Sequence, residues 1–221
     1  MKIAVLIPCY NEEFTVGKVV DDFHKELPEA AIYVFDNASD DKTFYNALKH
    51  GAICKKEEKR GKGNVVRRMF DTVKADIYVM VDGDDTYEAS HVKELVDAVK
   101  NGADMAIGNR MNYISDSIVR KFGNKFINQY IKSLFRSAEK IDVLSGYRAF
   151  SKKFVKDIKL EYNNFEVETE MTIFALKKGY NIVTVPVQYR DRPAGSFSKL
   201  RTFRDGLSIL ACISHMYWSK K

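Results

Sequence analysis

Short apolar runs and segments of helical period alternate along the chain. Residues 3–7, 32–35, 52–54, 77–81, 104–107, 147–150 and 182–187 have the length and apolar content of buried strands. Between the first two, Val16, Val19, Val20, Phe23 and Leu27 fall on one face of a helix, and Val92, Leu95, Val96 and Val99 repeat that spacing. A longer helix is predicted from Val119, Phe122, Phe126, Ile127, Tyr130, Ile131 and Leu134. The alternation predicts an α/β protein with a mostly parallel central sheet flanked by helices. In such a sheet ligands bind outside the carboxyl ends of the strands, which directs attention to residues 8–12, 36–41, 82–86 and 108–110.

Composition narrows this picture. A chain of 221 residues, 45% hydrophobic and with only 4 Pro and 12 Gly, is neither disordered nor fibrous. At this size a domain buries roughly 70% of its unfolded surface, enough core to need no staple. The three cysteines lack any C-x-x-C pairing and suit a reducing, cytoplasmic compartment. The thirteen residues 206–218 are nearly apolar but fall short of the roughly 20 that span a bilayer. The net charge of +6 is modest, and the basic residues are mixed with acids rather than interleaved with aromatics, which argues against nucleic acid. Polar residues 189–199, with Pro193 and Gly195, read as a mobile basic loop.

The sharpest local signal is Asp82-Gly83-Asp84-Asp85, three carboxylates directly after the fourth strand. Like charges so close repel unless a cation joins them, and Mg²⁺ or Mn²⁺ prefers such oxygen donors together with substrate phosphate. Asp85 or Thr86 is read instead as the cap of the helix through Val99. The letters D-G-D-D-T also match the haloacid dehalogenase-like phosphatase signature, although that motif normally closes the first strand. Lys59-Arg60-Gly61-Lys62-Gly63-Asn64 is neither a Walker loop nor a dinucleotide fingerprint; it suits an anion site or a helix start with a solvated basic face. Arg190, Arg192, Lys199, Arg201 and Arg204 form a second basic group of the kind that clamps phosphate.

In order, Ile7-Pro8-Cys9-Tyr10-Asn11-Glu12, residues 36–43, Gly61-Lys62-Gly63, Asp82-Gly83-Asp84, Gly108-Asn109-Arg110, Ser145-Gly146-Tyr147-Arg148 and residues 192–199 resemble the motifs of inverting GT-A-fold glycosyltransferases. The branch is that of dolichol-phosphate mannose synthase and the polyprenyl-phosphate sugar transferases, and the likeness covers about residues 2 to 200. The sequence departs from the family pattern at Asn37 and Ala38, where Asp and Gly are usual, and at Asn109, where Ser is usual.

The resemblance implies a GT-A catalytic domain over residues 1–200 and an amphipathic C-terminal helix over 201–221, packed on the domain or at a membrane surface. It implies a nucleotide-diphosphate sugar donor held by Pro8, Tyr10, Glu12, Asp36, Lys62, Asp82, Gly83 and Asp84. Mg²⁺ or Mn²⁺ would sit on Asp82 and Asp84. Arg192 and Lys199 would stabilise the departing diphosphate, and Arg110, Arg120 and Ser198 would bind the acceptor. A polyprenyl phosphate acceptor needs no general base. A hydroxyl acceptor in polysaccharide, glycolipid or glycoprotein synthesis would need one, with Asp142 the first candidate and Glu168 or Glu170 the alternatives. Phe203, Leu207, Leu210 and Ile213, followed by Met216, Tyr217, Trp218, Lys220 and Lys221, suit either a packed helix or peripheral contact with the cytoplasmic face of a membrane.

Overall fold

The computed structural model describes residues 1–111, 118–135, 141–193, 195, 197, 199 and 202–219, with backbone alone for 118–122, 124 and 202. All seven predicted strands are present: β1 (Ile3–Cys9), β2 (Ala31–Asp36), β3 (Ile53–Lys56), β4 (Ile77–Met80), β5 (Met105–Met111), β6 (Arg148–Ser151) and β7 (Ile182–Gln188). They form one sheet in the order β3-β2-β1-β4-β6-β5-β7. β1 is central and apolar on both faces, as a strand covered by helices on each side must be.

The helices are α1 (Val16–Glu26), α2 (Thr43–Lys49), α3 (Lys62–Thr72), α4 (Val92–Lys100), α5 (Ile118–Phe135), α6 (Lys152–Asp157), α7 (Val167–Lys178) and α8 (Thr202–Trp218). α1 and α4 bury the apolar stripes that predict them against one face of the sheet. α3, α7 and parts of α5 and α8 cover the other face. α7 gives no periodic signal because nearly all of its first three turns are buried, Glu168, Thr169, Glu170 and Thr172 included.

β6 runs antiparallel to both neighbours, with Met80 opposite Arg148 and Ile77 opposite Ser151. Its direction puts the residues that precede it, 142–147, at the carboxyl edge of β4, so they join the acidic turn from the other side. Residues 108–110 lie inside β5, paired with β7, rather than in a turn beyond it. The acidic turn does not cap a helix: a 3₁₀ turn over Ala89–His91 intervenes before α4, and neither has a side-chain cap.

Candidate functional site

Residues after β1, β2 and β4 converge with the start of α3 on a cavity of about 260 Å³. Pro8, Tyr10, Glu12, Lys62, Asp82, Gly83 and Asp84, each expected there from sequence, line it. So do Arg192 and Lys199, which reach it from beyond β7. Arg192 lies 2.5 Å from Asp84 Oδ2 and 3.1 Å from Glu12 Oε1, and Lys199 Nζ lies 2.6 Å from the same Glu12 oxygen. Lys199 also donates to the Asn11 carbonyl at 2.7 Å. The acidic turn and the segment bearing Arg192 therefore meet across one crevice.

The three carboxylates of the turn have different partners. Asp82 Oδ1 is 2.5 Å from Lys62 Nζ, which is also 2.5 Å from Glu168 Oε1 on α7. Lys62 is thus an enclosed ion-pair centre rather than part of a solvated face, and the two carboxylates raise its pKa. Asp84 takes the Thr86 hydroxyl at 2.6 Å on one oxygen and Arg192 on the other. Burial and the neighbouring Asp82 charge push the Asp84 carboxyl above its usual range. Asp85 adopts φ +58° and turns away to Lys18 and Arg190. It is a structural strap for the end of β7, and Arg190 accordingly leaves the expected phosphate clamp.

Backbone fit explains two short motifs. A β-carbon on Gly63 would lie 2.2 Å from the Tyr162 carbonyl oxygen, and one on Gly61, at φ +126°, 2.2 Å from that of Asn163. The glycines let the 160–165 segment close onto α3, where Asn164 and Phe165 line the cavity. Asn37 holds the 57–61 loop that leads into α3: its side chain donates to the Glu57 and Lys59 carbonyls at 2.9 and 2.8 Å and accepts from the Gly61 amide at 2.7 Å. The departure from the family's Asp is therefore a positioning residue. Asp36, buried at the end of β2, accepts the Ser39 amide at 3.4 Å and keeps Oδ1 without a hydrogen bond among the described residues.

On the far side, Asp142 binds Arg110 through both oxygens, at 2.6 and 2.8 Å, and Arg110 lies over the Tyr189 ring. The Asp142 amide is fixed by the Asn109 side chain at 2.8 Å. Arg148 is fully buried and donates to the Ser145 and Val143 carbonyls and the Thr172 hydroxyl, which fastens the turn before β6. Burial lowers its pKa to about 10. Glu170 accepts the Glu161 and Tyr162 amides at 2.6 and 3.2 Å, and burial lifts its pKa to about 7. Arg120 lies on α5 with only its backbone described, and Ser198 and Arg201 lie outside the described residues. Sequence reading missed Asn164 and Phe165; Arg60, part of the basic segment 59–64, stacks its guanidinium 4.4 Å from the centre of the Tyr10 ring. No local pattern marks the first two.

Among the described residues, no group of three or more His, Cys, Asp and Glu side chains could hold a metal ion. Asp82 and Asp84 nevertheless present oxygen donors to one cavity, the donor chemistry that a hard divalent ion takes, and the Asp82 charge adds to the cost of ionising Asp84.

The model described as "Glycosyl transferase family 2" matches residues 4–159. Glycosyltransferase AglJ of Haloferax volcanii is 35% identical over 208 residues, 92% of this chain and 68% of that protein. A dolichyl-phosphate hexose transferase of the same organism is 31% identical over 209 residues, 94% of this chain and 90% of its own length. Protein RfbJ of Shigella flexneri is 51% identical over 120 residues, 54% of this chain and 93% of that protein. Glucosyl-3-phosphoglycerate synthase from Mycobacterium tuberculosis, solved with Mn²⁺, UDP-glucose and phosphoglyceric acid, superposes with a TM-score of 0.81 at 18% identity, over all of this chain and 81% of that one. That likeness identifies the GT-A fold. The phosphatase alternative for the acidic turn falls away: with its carboxylates facing cationic residues across a crevice at the strand ends, the chain is a glycosyltransferase and belongs to glycosyl transferase family 2.

Proposed function

We propose that the protein transfers a sugar, with inversion, from a nucleotide-diphosphate sugar to a polyprenyl phosphate, with Mg²⁺ or Mn²⁺ on Asp82 and Asp84. The observation that carries this reading is the convergence of Lys62, Arg192 and Lys199 with Glu12, Asp82 and Asp84 on one cavity. Bound there, the divalent ion would supply Lewis-acid stabilisation of a diphosphate leaving group.

The chain's own residues do the rest. Charge accumulates on the diphosphate as the sugar bond breaks, and Arg192 and Lys199, now neutralised by Glu12 and Asp84, would turn to it. Tyr10, stacked on Arg60, and Asp36, with an unused buried acceptor, suit the base and ribose. Gly83 and Pro8 leave backbone at the cavity wall. Arg110, held by Asp142, and Arg120 are assigned to the acceptor phosphate, together with Ser198.

The acceptor choice follows from the carboxylates. Asp142 has both oxygens on Arg110, Glu168 is paired with Lys62, and Glu170 holds two backbone amides. A phosphate oxygen attacks the anomeric carbon without a base, so the engagement of all three favours a phosphate over a hydroxyl acceptor. The relative named dolichyl-phosphate hexose transferase, similar over 94% of this chain, supports the same choice.

A lipid acceptor also calls for membrane contact. No helix among the described residues is long and apolar enough to cross a membrane. On α8, Ile209, Cys212 and Ile213 face inward, while Phe203, Leu207 and Trp218 are 78%, 69% and 79% exposed. We assign this outer stripe to peripheral contact at the cytoplasmic face, with residues 1–200 as the catalytic unit.

The test is incubation with Mn²⁺, a panel of nucleotide sugars, and either undecaprenyl phosphate or sugar acceptors. Sugar should appear on the lipid phosphate, and Asp84→Ala should lower turnover by about 10²-fold or more while the protein stays folded. Transfer only to hydroxyl acceptors would overturn the acceptor assignment. Full activity of Asp84→Ala with chelator present would overturn the metal assignment.

A further inference from the structure

A second cavity, of about 450 Å³, lies between α3, α6 and residues 158–160, apart from the donor site. α3 links the two. Its first residue, Lys62, is in the donor cavity, whereas Phe70, Asp71 and the following Lys74 line the second one, roughly 15 Å further along at 1.5 Å per residue. The floor is apolar: Phe70, Tyr78, Val155 and Leu160 belong to the core beneath the sheet but keep a sliver of exposed surface here. The rim is cationic, with Arg67, Lys74, Lys152, Lys156 and Lys159 against Asp71 alone.

Three of these cations have work within the fold. Arg67 holds the Leu160 and Tyr162 carbonyls at 2.8 and 3.1 Å, Lys74 the Asp71 carbonyl at 3.1 Å, and Lys152 the Asp76 carboxylate at 3.1 Å. Lys156 and Lys159 are exposed and have no hydrogen bond or ion pair among the described residues. Lys156 lies in the last turn of α6 and Lys159 follows the extended Ile158, so both exposed ammonium groups sit on the rim of this one cavity with no partner among the described residues. Their setting beside an apolar hollow selects for more than a bare ion. A cavity of several hundred Å³ with an apolar floor and a few convergent charges suits a small molecule with a ring or short chain.

We propose that this cavity is a second ligand site, separate from the donor and acceptor sites, for a small phosphomonoester with an apolar body. The body rests on Phe70, Tyr78 and Leu160, and the phosphate bridges Lys156 and Lys159. The phosphomonoester could belong to a soluble molecule or to a lipid headgroup, and two soluble probes separate these sources: phenyl phosphate and dihexanoyl phosphatidic acid.

The experiment is calorimetric titration of the full chain, with no donor or acceptor needed, against both probes and against phenol and inorganic phosphate as controls. One or both probes should bind at millimolar concentration or below, more tightly than phenol or inorganic phosphate. The tighter probe identifies the source. K156E/K159E should lose about tenfold or more of that affinity, each factor of ten being about 1.4 kcal/mol, with an unchanged melting temperature. Val155→Lys, which fills the floor with a charge, should also abolish binding. Absence of binding by both probes, or equal affinity in K156E/K159E, overturns the proposal. Because the readout is binding at a site away from the donor cavity, it stands or falls independently of the transferase assignment.

Discussion

A β-carbon on Gly146 would lie 2.3 Å from Asp82 Oδ2, so the turn before β6 and the carboxylate after β4 are fitted to each other at the scale of one methyl group. Gly146→Ala must displace that carboxylate. The expected result is a folded protein whose kcat/KM falls by about 10²-fold and whose Mn²⁺ requirement moves to higher concentration; an unchanged Mn²⁺ titration would separate Gly146 from the proposed metal site. Arg110 and Asp142 form a planar two-bond pair that Lys or Asn cannot reproduce. Arg110→Lys and Asp142→Asn should therefore each raise the acceptor KM several-fold and leave the donor KM nearly unchanged, as initial-rate kinetics would show. Asp82 and Asp84 are legible in the sequence because three carboxylates within four residues after an apolar run are conspicuous. The Arg110–Asp142 pair is not, since its partners lie 32 positions apart and meet only through the packing of the turn before β6.

Elements set the walls of the donor cavity. The 160–165 segment is clamped between α3 and α7: Arg67 holds it from one side and Glu170 from the other. Gly63→Ala would press a β-carbon against the Tyr162 carbonyl and should cost roughly 1–3 kcal/mol of stability, measurable by urea unfolding. Glu170 gives this clamp a pH dependence. Burial and Glu161 raise its carboxyl to about 7, against the two amide bonds and Arg67, which lower it. The folded state thus holds the proton more tightly than the unfolded one, so the contribution is fully present below the unfolded pKa and is lost as pH rises through about 7. Glu170→Gln should flatten the fall in unfolding free energy across that window; an identical slope would remove Glu170 as its source. From sequence Glu170 looks like a reactive carboxylate, and its commitment to backbone amides is visible only once α7 is seen to be buried on nearly every side.

For the whole molecule, the unsettled surface is the outer face of α8. Phe203, Leu207 and Trp218 stand out of a helix whose inner face is already packed, and Phe126 on α5 is also 59% exposed. Single exposed apolar residues are ordinary, but several along one helix are not. L207E/W218S should reduce co-sedimentation with anionic phospholipid vesicles several-fold while leaving the melting temperature within a few degrees. Equal sedimentation would remove α8 from the proposed membrane contact. Periodicity in the sequence shows that α8 is amphipathic, yet it assigns Leu207 and Ile213 to the same stripe, whereas packing buries Ile213 and leaves Leu207 outside.

The sequence by itself determines the seven strands, the helices with a one-sided apolar stripe, and the strand ends where chemistry gathers, because these follow from local periodicity and the clustering of like charges. Only the tertiary structure decides that β6 is antiparallel, that Lys62 is enclosed by Asp82 and Glu168, that Asp85 serves the fold, and that Asp142 is tied to Arg110. Each of these is a pairing across distant stretches of chain, and a charge or a strand carries no local mark of the partner that folding will bring to it.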